Sequence, residues 1–175
     1  MGYRLIECTL EEHAEQMLEI FNDAIMNSTA LYDYSPRTMD NMVSWFEVKR
    51  ANDFPIIGLV DSSGSLAAFA SYGFFRTFPA YKYTVEHSIY VHEKHRGAGL
   101  GKQLLDELIG VARSQGKHVL IAAIDADNAA SIAIHVRGGF SLVGTLPEVG
   151  FKFGRWLNLV FYQMVLDTPA DPIDG

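Results

Sequence analysis

The sequence predicts a mixed α/β fold in a single domain. Three observations carry that expectation. Short β-rich runs alternate with segments whose apolar residues recur at helical spacing. The 175-residue length suits one well-covered core. No internal repeat, linker or low-complexity tract interrupts the chain.

Tyr3 to Cys8 reads as a strand, with Cys8 buried beside it. Thr9 and Glu12 form a Thr-x-x-Glu capping box, and Ala14, Met17, Leu18, Phe21 and Ile25 then follow on one helical face. Asn27 to Pro36 is a loop by its polar and proline content, unusually rich in large apolar side chains. A second helix carrying Met42, Trp45 and Phe46 starts near Asp40. Pro55–Val60 and Leu66–Phe75, separated by Asp61-Ser62-Ser63-Gly64-Ser65, read as a hairpin. Tyr83–Val91 is β-rich. A glycine turn leads from it into a helix over about 102–114, stopped by Gly116. His118–Ile124 is apolar enough for a buried strand. Asp127 or Asn128 caps a helix to about Arg137, and Gly138-Gly139 breaks it. Strands are expected over Phe140–Gly144 and about Trp156–Leu166. Positions 1–166 thus make up the domain, and 167–175 a flexible tail.

Hydrophobic residues at 49% and charged residues at 20% give an ordinary globular balance. The net charge of −7 opposes a nucleic-acid ligand, which needs concentrated Lys and Arg. A local basic cluster remains compatible with one phosphorylated small molecule. Cys8, the only cysteine, excludes an internal disulfide. Met1-Gly2-Tyr3-Arg4 leads into no signal-peptide core, Ile6 stands where myristoylation wants Ser or Thr, and no run approaches the ~20 apolar residues of a spanning helix. The expectation is a soluble cytoplasmic protein. His87, His92 and His95 lack nearby cysteines, so no metal is expected. No Ser-His-Asp or Cys-His arrangement argues for a covalent intermediate.

Arg96-Gly97-Ala98-Gly99-Leu100-Gly101-Lys102 lies between a strand and an amphipathic helix. Glycines let backbone amides converge, and a helix start adds positive potential, so the turn suits an anion such as pyrophosphate. Taken alone it fits a tight strand-to-helix connection equally well. A Walker loop fails because Arg96 and Gln103 occupy the first-glycine and hydroxyl positions. A dinucleotide fingerprint fails because Lys102 or Leu104 falls on the third glycine.

Arg96-x-x-Gly99-x-Gly101 resembles the pyrophosphate loop of the general N-acetyltransferase superfamily. Asn128 to Phe140, with Ser131, His135 and Gly139, is similar to its downstream helix, His135 standing where a tyrosine is common. Thr84 to Val91, Asn27 to Ala30 and Gly150 to Trp156 resemble the phosphinothricin and methionine-sulfoximine N-acetyltransferases; together the matches span about positions 4–166. The resemblance implies a largely antiparallel mixed sheet flanked by helices, with acetyl-CoA held at a splayed central strand pair. It further implies a homodimer, amino-acid acceptors with a tetrahedral head, and a role in resistance to such analogues. Two departures stand out: Gly138 in place of a common Leu, which is expected to loosen the helix end, and Asn158 in place of a common Asp.

By that resemblance the acetyl-CoA residues are Ile89, Tyr90, Val91, Arg96, Gly97, Ala98, Gly99, Leu100, Gly101, Lys102, Asn128 and Ser131. Direct transfer needs a neutral amine and a proton for the leaving thiolate. Glu86 sits in an apolar strand run. Alone it also fits a paired or solvent-facing glutamate, and the surrounding match assigns it the base. His135 is the matching acid, or a second aid to deprotonation. Arg76 suits the acceptor's acidic groups through its bidentate fork, with Lys82 a weaker choice. Phe75, Thr77, Val85, His87 and Tyr32 complete the expected acceptor site, with Tyr81 and Tyr83 as further walls. Lys152 and Arg155 lie on a family loop that reaches the partner's site. Two other readings stay open: acetylation of a cationic polyamine, which a central Arg76 opposes, and a non-catalytic acetyl-CoA sensor, which retention of Glu86 and His135 opposes.

Overall fold

A computed structural model describes residues 2–174. Its elements run β1 (Arg4–Glu7), α1 (Leu10–Asn27), α2 (Met39–Ala51), β2 (Ile56–Val60), β3 (Leu66–Phe74), β4 (Thr84–Val91), α3 (Leu100–Ser114), β5 (Val119–Asp125), α4 (Ala129–Arg137), β6 (Ser141–Lys152) and β7 (Arg155–Val165). This is the order read from the sequence. Two single helical turns, Pro79–Tyr81 and Glu93–His95, are additions too short to show any periodicity. No helix among the described residues is long and apolar enough to cross a membrane. The chain divides into two compact units, and β3, β4 and α3 contribute residues to both.

The first unit comprises the chain up to Ser71 with Ile89–Leu104. β2 pairs antiparallel with β1 (Arg4↔Val60) and with β3 (Ile56↔Ser71). The apolar stripe of α1, led by Met17 and Phe21, packs with Met42, Phe69 and Tyr90 into this unit's core. Phe21 is its hub: the rings of Phe69 and Tyr90 lie 4.8 and 4.9 Å away, both edge-on. Thr9 caps α1 by accepting from the Glu12 amide at 3.3 Å. The return bond expected from Glu12 is instead made by His13, whose Nδ1 accepts the Thr9 amide at 3.1 Å. A complete capping box forms at α2, between Thr38 and Asn41.

The second unit comprises Tyr72–Ser88 and the chain from Leu105 on. Its strands lie in the order β4-β5-β7-β6. β4 and β5 run parallel, whereas β5–β7 and β6–β7 are antiparallel. The β4–β5 ladder covers only Thr84–Glu86 against Val119–Ile121, although both strands continue. The ladder ends at the Glu86↔Ile121 row.

Two boundaries, the start of α3 and the end of β6, differ from expectation. α3 starts at Leu100 rather than near Lys102. β6 runs on to Lys152 instead of stopping near Gly144, because register shifts absorb Pro147 and the left-handed Glu148 (φ 54°) on this edge strand. Such a bulged edge carries no clean alternation to read. Asn158, flagged as a departure, accepts the Glu148 amide at 2.8 Å and so supports the irregular stretch. The segment after β7 is tied at several points: Arg113 pairs with Asp167, Thr168 bonds Lys117, and the Ile173 amide donates to the Tyr83 hydroxyl at 3.2 Å.

Candidate active site

The glycine turn sits wholly in the first unit. Gly97 and Gly99 have φ of 80° and 81°, and a Cβ at either would meet nothing within 4 Å. Conformation, not crowding, calls for glycine there. Arg96 leads the turn; its Nη2 lies 2.5 Å from Asp23 of α1 and its Nε donates to the Val91 carbonyl at 3.4 Å. Immediately upstream, the His95 Nδ1 lies 3.0 Å from the Tyr3 hydroxyl, and the His92 Nε2 lies 3.7 Å from Glu19. These contacts anchor the approach to the turn. Open amides, a helix start at Leu100 and nearby Arg96 and Lys102 fit a phosphorylated group.

In the second unit, β4 alternates faces. Val85 and His87 are buried, whereas Thr84, Glu86 and Ser88 are partly exposed. The buried side meets α4. The Nε2 atoms of His87 and His135 lie 2.9 Å apart, and the Phe140 ring packs against both imidazoles at 5.3 and 5.2 Å. His135 Nδ1 lies 2.7 Å from the Ser131 carbonyl, which can only accept. His135 therefore carries its proton on Nδ1, and its bare Nε2 accepts from His87. Burial pushes both imidazoles below the ordinary value. For His87 the neighbouring His135 adds to the shift, and the Ile121 backbone offsets only part of it. His87 Nδ1 is buried without a hydrogen-bond partner among the described residues.

Glu86 lies on the other face, so alternation sends its side chain away from the histidine pair. Partial burial holds its carboxyl above the usual carboxylate value. On this face a cleft of about 330 Å³ opens, lined by Phe75 and Tyr81, by Thr84 of β4, Val119 and Ile121 of β5, Phe161 and Gln163 of β7, and Val143 and Gly144 of β6. Of the expected acceptor residues, Phe75 lines it and Glu86 adjoins it through the Ile121 row. Arg76 and Thr77 are exposed just beyond Phe75, and Arg76 lies 5.5 Å from that ring's centroid. Val85 and His87 turn their side chains to the opposite face. Tyr32 belongs to the first unit, in the loop between α1 and α2.

Asn128 caps α4, its side chain accepting the Ser131 amide at 3.1 Å. Arg155 stands at the start of β7 and bonds Asp127 at 2.9 Å, with buried Asp125 3.9 Å away. Lys152 is buried beside the Phe153 ring. Phe153 and Gly154, both with positive φ, close the hairpin between Lys152 and Arg155. The α4 end, where Gly138 was expected to loosen the helix, is closed by bonds from Gly138 to Ile134 and from Phe140 to His135. A Cβ at Gly138 would approach Leu105 to 3.0 Å, so glycine fits a close packing contact. Sequence reasoning missed the His87–His135 pair and the cleft floor from Val119 to Gln163. Both depend on strand register, which a single sequence does not display.

Residues 14–140 match the model of the acetyltransferase (GNAT) family. This chain belongs to the GNAT acetyltransferase family. It is therefore an N-acetyltransferase, and the expected fold class holds. It is 48% identical over 151 residues to an L-methionine sulfoximine/L-methionine sulfone acetyltransferase of Pseudomonas aeruginosa, covering 86% of this chain and 88% of that one. An N-acetyltransferase structure from Staphylococcus aureus superposes with a TM-score of 0.91 at 44% identity, over 94% of this chain and 99% of that one. A GNAT phosphinothricin acetyltransferase from Sinorhizobium meliloti, in complex with acetyl-CoA, gives 0.93 at 33% identity, over 98% of this chain and 93% of that one.

Proposed function

We propose that this acetyltransferase moves the acetyl group of acetyl-CoA directly to the α-amine of a small amino-acid analogue of the methionine sulfone, methionine sulfoximine or phosphinothricin type. The observation that carries the reading is Glu86: a half-buried carboxylate with a raised pKa, beside a cleft whose lining has no charged side chain. Glu86 takes a proton from the acceptor's ammonium, and the freed amine attacks the thioester carbonyl. The new C–N bond forms as the C–S bond breaks, and the thiolate leaves as the thiol after gaining a proton. The thiolate's proton is the second one shed by the attacking nitrogen, while His135, bound by Ser131 and His87 on the opposite face, holds α4 against β4. Arg76 receives the acceptor's carboxylate at the cleft mouth.

The turn Arg96–Lys102 binds the pyrophosphate, Ile89–Val91 pair with the pantetheine arm as an added strand, and Asn128 and Ser131 hold it from α4. No metal takes part. The protein works in the cytoplasm as a homodimer. Support for the dimer comes from the β6–β7 hairpin, where Leu142, Val149, Phe151, Phe153 and Trp156 are all exposed. Its Lys152–Arg155 turn reaches the partner's site. Acetylation of such analogues confers resistance to them.

The test is a thiol-release assay with acetyl-CoA over a panel of amino acids, their sulfone, sulfoximine and phosphinate analogues, and polyamines. Turnover of the analogues supports the reading. Turnover of polyamines alone would sink it.

A further inference from the structure

The register of the second unit places three residues in one row across three strands. Glu86 pairs with Ile121, and Ile121 pairs with Gln163. Paired residues project to the same face of a sheet, so Glu86, Ile121 and Gln163 share the face on which the cleft opens. With about 4.8 Å between strands, Glu86 and Gln163 stand about 10 Å apart at their Cα atoms. Ile121 and Gln163 are themselves cleft-lining residues.

Gln163 is the one side-chain amide in that lining, among apolar and aromatic neighbours such as Phe75, Val119 and Phe161. It is partly buried. Among the described residues nothing hydrogen-bonds its side chain. A half-buried amide in apolar surroundings is costly unless it finds a partner, and a bound ligand supplies one. The lining also carries no cation. An anionic head entering it would lose hydration without a counter-charge, whereas a neutral head with oxygen acceptors needs only a donor.

On the reading that Glu86 accepts the amine proton, we propose that Gln163 is the specificity residue for the acceptor's side chain. Its amide N–H donates to an oxygen on a neutral head, and Phe75, Val119 and Phe161 enclose the methylenes. The acceptor class is then an amino acid with an unbranched, uncharged side chain of about methionine length that ends in a hydrogen-bond acceptor. A sulfone or sulfoximine satisfies this, and a phosphinate anion does so less well. The span fits. An extended side chain of that length sets its head about 5 Å from the α-amine, with Glu86 and Gln163 reaching in from either end.

The experiment compares kcat/KM of the full-length protein for methionine sulfone, norleucine and phosphinothricin at saturating acetyl-CoA. The variants are Gln163→Leu and the isosteric Gln163→Glu. One neutral hydrogen bond corresponds to a preference for the sulfone over norleucine of about 5- to 10-fold in the wild type. Gln163→Leu should abolish that preference with the acetyl-CoA KM unchanged. Gln163→Glu, which keeps the shape, should lower the sulfone rate selectively. Equal loss on sulfone and norleucine, or equal wild-type rates for phosphinothricin and sulfone, would overturn the assignment. Absence of wild-type turnover with all three would overturn the amino-acid reading itself and this inference with it.

Discussion

His87 and His135 face each other across 2.9 Å with a single proton between their Nε2 atoms. A second proton there would charge one buried ring and set two N–H donors against each other, so both rings fold in the neutral form. The native state therefore binds fewer protons than the unfolded chain wherever free histidines ionise. The stability this contributes is complete above about pH 6.5 and is lost as pH falls below it. Urea midpoints should drop between pH 7 and pH 5. His87→Leu leaves the buried His135 Nε2 without its donor and should cost about 1–3 kcal/mol at pH 7. It should also flatten the acid slope. An unchanged slope in the variant would assign the acid sensitivity elsewhere.

Glu86 titrates in the opposite sense. Its carboxyl is held above the ordinary value by burial, and in the proposed role it must be ionised to take the proton. The acid limb of kcat/KM should therefore lie above the usual carboxylate pKa of about 4.3. Glu86→Gln should lower kcat by about 10²–10⁴-fold while acetyl-CoA still binds. A variant with wild-type kcat and an unmoved acid limb would remove Glu86 from the base role.

The fold was legible in the sequence wherever one face of an element is buried. The stripe of α1 and the β-rich run Tyr83–Val91 predicted their elements within a residue or two. β6 was cut short because Pro147 and the left-handed Glu148 imitate a loop, and only an edge strand tolerates both. Individual site residues were singled out by resemblance: Glu86, His135 and the turn at Arg96 each also fit an ordinary structural role, and the surrounding family match gave them their assignments. Their relations were not legible. That Glu86 and His87 point to opposite faces follows from alternation, but that His87 meets His135, or Gln163 shares a row with Glu86, needs the register of β5 and β7. Register is set by side chains far apart in the chain.

Gly58 of β2 is a test of packing alone. A Cβ there would sit 2.6 Å from the Cys8 sulfur and 2.8 Å from a Leu66 methyl. Both neighbours are buried, so neither swings away freely. Gly58→Ala should destabilise the protein by about 1–3 kcal/mol in chemical denaturation. A loss below about 0.5 kcal/mol would show that the first unit relaxes around the methyl group. The same burial, with Glu7 adding to it, pushes the Cys8 thiol up to about 12. Alkylation of native protein by iodoacetamide at pH 8 should accordingly be slow.

Gly99 and Gly110 separate conformation from space. Neither Cβ would meet an atom within 4 Å, yet Gly99 has φ of 81° whereas Gly110 lies inside α3. Gly110→Ala should raise stability by about 0.5–1 kcal/mol, because alanine loses less backbone freedom in a helix. Gly99→Ala should lower it by about 1–2 kcal/mol, the cost of a left-handed L-residue. If the strain is relieved by moving the turn, the amides at the start of α3 shift with it. The KM for acetyl-CoA should then rise while the acceptor KM holds. A Gly99→Ala protein as stable as wild type, with both constants unchanged, would show that neither the conformation at this glycine nor the turn it shapes matters to the cofactor.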